Sequence, residues 1–348
     1  MSLSEQLKSQ IDADIDSYAR SLRTTTLQQY GPTSQQVIDA YLAILQRGGK
    51  RIRGALTIVG YQMMGGQDQA MIIQAARAME MIHAYLLIID DIQDRSQTRR
   101  GGPTAHLSLA ETYKDAHIGQ ALAINAALLG SHAAQMILAN LDVAPLLRSN
   151  VLSILSRTLL VTFHGQTLDL VNQVKPDVSL KEVEQVMDNK TAHYSFLNPL
   201  HVGMVLAGAD CQATDAITPY ALAAGRAFQI SDDILGVFGD QKNSGKNPQD
   251  DIREGKRTLL TVYALQKASP AGKLFLQKSL GNDHLTNPEF TRCQQIITDT
   301  GARKYAQAEA TKSIQEAVSS IQAAKQHWSA DGQQYLLQLV KSLQNRIA

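Results

Sequence analysis

From Met79 to Pro103 the chain reads M-E-M-I-H-A-Y-L-L-I-I-D-D-I-Q-D-R-S-Q-T-R-R-G-G-P. Its first part is rich in Leu, Ile, Met and Ala, which predicts a strongly apolar helix. Asp90, Asp91 and Asp94 then follow with no cation on the same turn. At ~100° per residue, the three carboxylates fall within an arc of roughly 100°, with Asp90 and Asp94 one turn apart. Three like charges this close need either full solvation or a cation between them. Hard oxygen ligands of this kind suit Mg²⁺, with phosphate oxygens of a substrate completing the shell. Arg95, Arg99 and Arg100 come next, then Gly101, Gly102 and Pro103. Guanidinium groups bind phosphate oxygens in bidentate fashion. Acids that suit a metal, followed by bases that suit phosphate, suggest a diphosphate site. A solvated helix end with a salt-bridged turn is the competing reading.

The rest of the chain bounds what such a site can serve. Its 348 residues carry a formal net charge of +1, which gives no general attraction to nucleic acid or membrane surfaces. Two cysteines, Cys211 and Cys293, exclude a disulfide framework and fit a reducing compartment. Met1 to Arg23 reads as an amphipathic helix rather than a secretory leader. Ile118 to Ala139 is the most apolar long stretch, but Gln120, Asn125, His132 and Gln135 interrupt it. It is expected to be a buried, central helix and not a membrane span. The chain is expected to be cytoplasmic, with no transmembrane segment and no nucleic-acid partner. Apolar residues recur at helical spacing almost throughout and sustained period-two alternation is hard to find, so the fold class is all-α.

In chain order, helices are expected over Leu3 to Arg23, from the cap Ser34 to Gly48-Gly49, over Ile52 to Met64, and up to the aspartates. Short helical pieces follow from Thr104 to Tyr113, then Ile118 to Asn140 and Pro145 to Val171. Ser179 caps a helix reaching about Lys190, and Asn198-Pro199 should bend or interrupt what comes after. A helix over Gln212 to Gly239 carries a second acidic pair, Asp232 and Asp233. The polar, Gly-containing stretch Asp240 to Lys256 reads as a mobile loop over a site. Helices and turns alternate to the end. No composition shift divides the chain, so residues 1–348 are expected to form a single domain.

Two apolar helices that each end in acids can face one another in a bundle with metals between them. At this point the sequence resembles the trans-isoprenyl diphosphate synthases, or polyprenyl synthetases. The resemblance is carried by G-G-K-R-I-R (Gly48 to Arg53), E-M-I-H-A-Y-L-L-I-I-D-D-I-Q-D (Glu80 to Asp94) and R-R-G-G-P (Arg99 to Pro103). It continues through G-Q-T-L-D-L (Gly165 to Leu170), Lys190-Thr191, F-Q-I-S-D-D-I-L (Phe228 to Leu235), Gly245-Lys246 and G-K-R-T-L-L (Gly255 to Leu260). One acidic pair alone would be weak; the ordered set covers most of the chain and is highly specific.

The resemblance implies a single large helical bundle around a central cavity, the isoprenoid synthase fold. It implies head-to-tail condensation of isopentenyl diphosphate with an allylic diphosphate (dimethylallyl, geranyl or farnesyl). Asp90, Asp91, Asp94, Asp232 and Asp233 match the residues that hold Mg²⁺, three ions per site, on the allylic diphosphate. Arg99, Lys190 and Lys256 match contacts to that diphosphate; Thr191, Gln229 and Lys246 match neighbours of the reacting group and its leaving diphosphate. Gly49, Lys50, Arg53, His83 and Arg100 match the pocket for isopentenyl diphosphate. The family also forms homodimers through its long central helices, and Ile118 to Asn140 is apolar on more faces than one monomer core requires.

Other readings of these residues stand beside that one. A lone histidine such as His83 on an apolar helix is usually a satisfied core residue. Glu80 and His83 form one E-x-x-H, but a carboxylate-bridged di-iron site needs a second, which is absent. Met63, Met64, Met79 and Met81 read as core filling. Gln166 and Asp169 either face the cavity or satisfy buried groups. The family's usual third aspartate of the second motif is Gly236 here, and Asp240, ~12 Å along an ideal helix, is too far to replace it. That departure keeps a catalytically weak regulatory subunit open as an alternative. A class I terpene cyclase is another, and a non-catalytic helical scaffold a third; Lys50, Arg53 and Arg100 argue against the cyclase, which has no second diphosphate to bind. In the family, bulk five residues before the first aspartate floors the product pocket. Tyr85 at that position, Leu86 after it and no insertion between Asp91 and Asp94 resemble the archaeal type of geranylgeranyl synthase. Geranylgeranyl diphosphate is the expected product and farnesyl diphosphate the next, with Ile82 and then Met79 as further barriers along the wall. An ideal helical wheel puts Tyr85 ~170° from the centre of the aspartate arc, so this role rests on the resemblance.

Overall fold

A computed structural model describes residues 3–239 and 248–347. The described residues form α-helices, one two-residue strand pair, one π-helical stretch and a short 3-10 turn at Lys325–His327, in agreement with the all-α reading. The chain clusters into two compact units: residues 1–155 with 199–210, and residues 156–198 with 211–348.

The first unit opens with α1 (Leu3–Gln46), kinked at Gly31, where φ is +81° and Pro32 follows. The first helix therefore runs past Arg23 to the kink, because nothing in Thr24 to Tyr30 breaks it; the second begins at Pro32 rather than Ser34. Next come α2 (Ile52–Met63), α3 (Gln69–Gln93), the strands β1 (Thr98–Arg99) and β2 (Gly102–Pro103), α4 (Ala105–Tyr113) and α5 (Ala116–Ala139). Asp68 and Asp115 cap α3 and α5, accepting from the N–H of Met71 and Ile118. α6 (Pro145–Val174) starts in this unit and continues in the other.

The centre of this unit is α3, not the Ile118 to Asn140 helix. Ile72, Ala75, Ala76, Met79, Met81 and Ile82 on α3 are fully buried. On α5 the buried face is instead a stripe of small residues, Gly119, Ala123, Ala126, Ala127, Gly130 and Ala134. Apart from the buried Leu138, the large side chains of α5 turn toward the surface: Leu128 is 46%, Leu129 48% and Met136 65% exposed. The small stripe lets α5 approach closely; a methyl group on Gly130 would lie 2.0 Å from the Tyr41 ring. Tyr41 is fully buried and its hydroxyl donates to the Met81 carbonyl at 2.8 Å. By length and composition α3, α5 and α6 could each cross a membrane, and the chain buries 67%, 39% and 17% of their most apolar windows.

The second unit holds α7 (Leu180–Val186), capped by a Ser179–Glu182 box. The helix does not continue as α to Lys190. Met187–Leu197 winds as a π-helix and runs on into α8 (Asn198–Leu206) without the interruption expected at Asn198-Pro199. Pro199 has no N–H and would press on the Ser195 carbonyl in an α-helix. The wider winding just before it removes that conflict, with the Asn198 N–H donating to His193, five residues back. Glycines on both sides admit the stretch: methyl groups on Gly165 and Gly225 would lie 2.4 Å from the Lys190 nitrogen and the Ala192 Cβ.

The expected helix over Gln212 to Gly239 is two helices, α9 (Cys211–Ala216) and α10 (Thr218–Phe238). Pro219 stands in the first turn of α10 and cannot bond back to the preceding turn, so the chain restarts there. Then follow α11 (Asp250–Arg253), α12 (Leu259–Lys267), α13 (Pro270–Ser279), α14 (Asn287–Asp299), α15 (Ala302–Ala323) and α16 (Ala330–Ile347). Ile230, Ile234 and Val237 of α10 pack with Leu260, Ile297 and Ala306 in this unit's core.

Within the first unit, α8 and α2 cross at glycines. A methyl group on Gly203 would stand 2.1 Å from the Thr57 carbonyl and 2.7 Å from the Tyr61 nitrogen, backbone atoms that no rotamer change can move. Gly203→Ala should therefore destabilise the chain by about 1–3 kcal/mol through overpacking, against the ~1 kcal/mol that alanine gains over glycine in a helix. Thermal unfolding reads this directly. An unchanged or higher midpoint would mean that the helices do not cross this closely.

Candidate active site

The end of α3 carries Asp90 half-buried, Asp91 fully buried and Asp94 buried. A tight hairpin then brings the arginines back. β1 and β2 pair with Arg99 opposite Gly102, and the two turn residues, Arg100 and Gly101, have φ of +51° and +75°. Positive φ at both centres is the primed turn that matches strand twist. It is unusual for arginine, and it separates two neighbours in sequence. The buried Arg99 donates through Nε to Asp91 Oδ1 at 2.7 Å, pairs with the same oxygen through Nη2, and stands 3.6 Å from Asp90. Arg100 turns the other way, donating to the Gly48 carbonyl and lying 3.4 Å from His83 Nε2.

Arg100 thereby joins a second cationic group. Gly49 has φ +116°, and a methyl group on it would lie 2.8 Å from the Arg100 guanidinium, so only glycine lets that guanidinium rest on the loop. Arg53 stands in the first turn of α2 and Lys50 is exposed on the loop before it. Burial, and then the charges of Arg53, Arg100, Arg99 and Arg51, hold the His83 imidazolium pKa well below its usual value. His83 is therefore neutral at physiological pH. Burial and the neighbouring Arg51, Arg53 and Arg99 bring Arg100 down to about 10. A cluster of cations this crowded favours an anion among them. Gly49, Arg53, His83 and Arg100 are thus brought together, and Lys50 is exposed on the same loop.

In the second unit, hydrogen bonds link the predicted residues in series. Thr191 Oγ1 donates to Gln229 Oε1 at 2.7 Å, and Gln229 Nε2 donates to Asp233 Oδ1 at 2.7 Å. Lys190 donates to Asp169 at 2.7 Å, which gives that buried acid a partner. Lys256 pairs with Asp251 at 3.3 Å and Glu254 at 2.6 Å. Gln166 is buried on the same face of α6. Lys246 lies outside the described residues.

Two residues here had escaped the sequence reading. Asp251, on α11, fills the space left by the missing third aspartate: a methyl group on Gly236 would lie 2.0 Å from Asp251 Oδ2. The signal was the paired acids Asp250-Asp251 downstream of a motif one acid short. Arg346, near the end of α16, donates to Asp232 Oδ1 at 2.7 Å and stacks over Phe228, 5.5 Å from the ring centre. Nothing in the local sequence of α16 marks that arginine.

Among the described residues, no three His, Cys, Asp or Glu side chains group closely enough to hold a metal ion alone. The donor set nevertheless fits a divalent cation. The oxygens are hard, and burial, then the neighbouring Asp251 and Asp232, push Asp233 up to about 8. A cation there would relieve a crowding of acids, and the one or two carboxylates that Mg²⁺ takes from a protein leave room for substrate oxygens.

The comparisons with known proteins converge on one class. The sequence pattern of the polyprenyl synthetase family matches residues 34–297. A geranylgeranyl diphosphate synthase of Saccharolobus solfataricus is 33% identical over 266 residues, 74% of this chain and 75% of that protein. Among solved structures, the geranylgeranyl pyrophosphate synthase of Corynebacterium glutamicum, complexed with isoprenyl diphosphate and magnesium, superposes with a TM-score of 0.89 at 27% identity, covering 99% of this chain and 98% of that one. The polyprenyl synthase of Caulobacter crescentus, complexed with calcium and isoprenyl diphosphate, gives 0.81 at 26%, with 99% and 98% covered. The fold is the all-α isoprenoid synthase fold. The chain belongs to the polyprenyl synthetase family and is a trans-prenyltransferase of the short-chain isoprenyl diphosphate synthase type.

The raised Asp233 gives a pH test. Its folded carboxyl titrates near 8 and its unfolded one near the usual ~4. Between those values the folded chain holds the extra proton, so stability falls as pH rises across that window and levels off above it. Metal-free denaturant midpoints measured from pH 5 to pH 8 should decline less steeply in Asp233→Asn than in the parent. Parallel slopes would contradict the assignment.

Proposed function

We propose that the chain is a Mg²⁺-dependent head-to-tail synthase that joins isopentenyl diphosphate to an allylic diphosphate. The observation that carries this reading is the division of labour between Arg99 and Arg100. One arginine lies against the acids at the end of α3 and its neighbour against Gly48 and His83. Two cationic subsites suit two diphosphates, as condensation requires and cyclisation does not. The two solved relatives, complexed with isoprenyl diphosphate and magnesium or calcium, support the same reading.

In this reading Asp90, Asp91, Asp94, Asp232 and Asp233 hold Mg²⁺, three ions per site, with Asp251 in the place of the absent third acid. When bound, the ions neutralise charge that develops on the departing diphosphate. Arg99, Lys190 and Lys256 bind the allylic diphosphate directly, and their fixed positive charge favours breaking of the allylic C–O bond. Thr191 and Gln229 orient the leaving group, the role that the family resemblance also implies for Lys246, which lies outside the described residues. Lys50, Arg53, His83 and Arg100, with the backbone of Gly49, hold isopentenyl diphosphate so that its double bond meets the allylic carbon. A proton then leaves the adduct for the released diphosphate, a strong acceptor. Because Asp233 binds a proton up to about pH 8, cation binding there expels one, and metal affinity rises with pH. Asp90→Ala or Asp232→Ala should lower turnover by at least ~10²-fold, typical for loss of one transition-state stabiliser. EDTA should abolish turnover and Mg²⁺ restore it. Full turnover in EDTA would sink the proposal.

Geranylgeranyl diphosphate is the product this reading favours, with farnesyl diphosphate the alternative. Met79 and Ile82 are fully buried and Tyr85 is nearly so, along one face of α3, with Leu86 half-buried beside them. Burial raises the Tyr85 phenol to about 12, so it presents a neutral ring. Tyr85→Ala should lengthen the product, measured by chromatography of the dephosphorylated alcohols. An unchanged product spectrum would assign chain length to another residue. The outward Leu128, Leu129 and Met136 of α5 support a homodimer, in which a second copy would cover them.

A further inference from the structure

Between Lys50 and Arg53 stands a residue whose side chain is taken up by α1 and α3. Arg51 is the residue before α2, and its backbone is left-handed, with φ 51° and ψ 36°. Its side chain is 3% exposed. Nε donates to Asp12 Oδ1 at 2.7 Å and Nη2 to the Leu45 carbonyl at 2.8 Å, while Nη1 lies 3.6 Å from Glu80 Oε2. Glu80, itself buried, accepts the Gly54 N–H at 2.8 Å through its other oxygen. One guanidinium therefore ties together the first half of α1, the end of α1 and the α3 turn that precedes His83. Glu80 anchors the start of α2 from the same point.

This arrangement is costly as a device for stability alone. A left-handed non-glycine residue is strained, and burying an ion pair gains little over a well-packed apolar side chain. Both costs fall on the one residue that sets how Lys50 leaves the loop and Arg53 enters the helix. A relaxed residue 51 would rotate Lys50 relative to Arg53 and lift Gly49 from the Arg100 guanidinium. We infer that Arg51, held by Asp12 and Glu80, is a positioning residue for the isopentenyl diphosphate subsite, and that the first helix of the chain takes part in recognising that substrate through it. The inference rests on the subsite assignment made under Proposed function.

The test uses the full chain with four variants. Lys50→Ala checks the subsite itself. Asp12→Asn removes one leg of the clamp almost isosterically. Arg51→Lys keeps the charge but loses the fork, and Arg51→Gly keeps the left-handed backbone without the side chain. Initial rates against each substrate, isopentenyl diphosphate binding by calorimetry, and melting curves are recorded for all. Asp12→Asn and Arg51→Lys should each raise the KM and Kd for isopentenyl diphosphate about tenfold, equivalent to one charged hydrogen bond. The allylic KM should stay within about twofold, as for a loss confined to one subsite. If both KM values rise together, or neither moves in folded Asp12→Asn, Arg51 is only structural and the inference is wrong. If Lys50→Ala leaves isopentenyl diphosphate binding intact, the subsite assignment has failed and the inference falls with it. Should Arg51→Gly fail to fold, Asp12→Asn decides.

Discussion

The Asp91 carboxylate has no exposed surface, and a charge so placed must be answered by another. Arg99 answers it, also from a buried position. Removing either partner of such a pair costs several kcal/mol because the survivor is stranded. Much of the local backbone follows from that requirement. To return an arginine to the helix end within eight residues, the chain needs a two-residue hairpin with two positive φ values. That hairpin forces the next arginine to face elsewhere. The same turn that satisfies Asp91 thereby places Arg100 over Gly49, where no side chain could be tolerated.

The acids at the end of α10 are handled differently. Asp233 is buried beside Asp232 and Asp251 with a glutamine amide as its donor, and its carboxyl is raised rather than paired. Asp232 is met by Arg346 from the last helix of the chain. The α3 acids thus carry a built-in cation close in sequence, whereas α10 draws on distant segments, α11 and α16. That contrast also accounts for Gly236. A glycine there makes room for the Asp251 carboxylate, so the number of acids around Asp233 is kept although their order along the chain has changed.

Much of this was legible in the sequence, and the reasons are physical. Like charges at the end of an apolar helix have few structural explanations, so Asp90, Asp91, Asp94, Asp232 and Asp233 stood out. Gly48-Gly49 announced a helix end because only particular backbones suit those residues. Composition was less informative about direction. The helix over Ile118 to Asn140 is rich in apolar residues, but its buried stripe is mostly Ala and Gly, and Leu128, Leu129 and Met136 point out; hydropathy does not say which side faces the core. The π-helix left no compositional trace, since a shift from four- to five-residue bonding changes no residue type. Asp251 and Arg346 were hidden because they meet their acids only through tertiary packing. Arg51 was visible as one more base in a basic run, and nothing in its letter distinguishes a buried clamp from a phosphate ligand.

The central claim is that the chain holds two diphosphates and joins them. Incubating the unmodified protein with Mg²⁺, labelled isopentenyl diphosphate and each allylic starter in turn tests it most directly, with the dephosphorylated products separated by chromatography. The account predicts label in linear alcohols longer than the starter by whole five-carbon steps, and none without a starter. Cyclic or merely hydrolysed products formed from the allylic diphosphate alone, with no label incorporated, would contradict it.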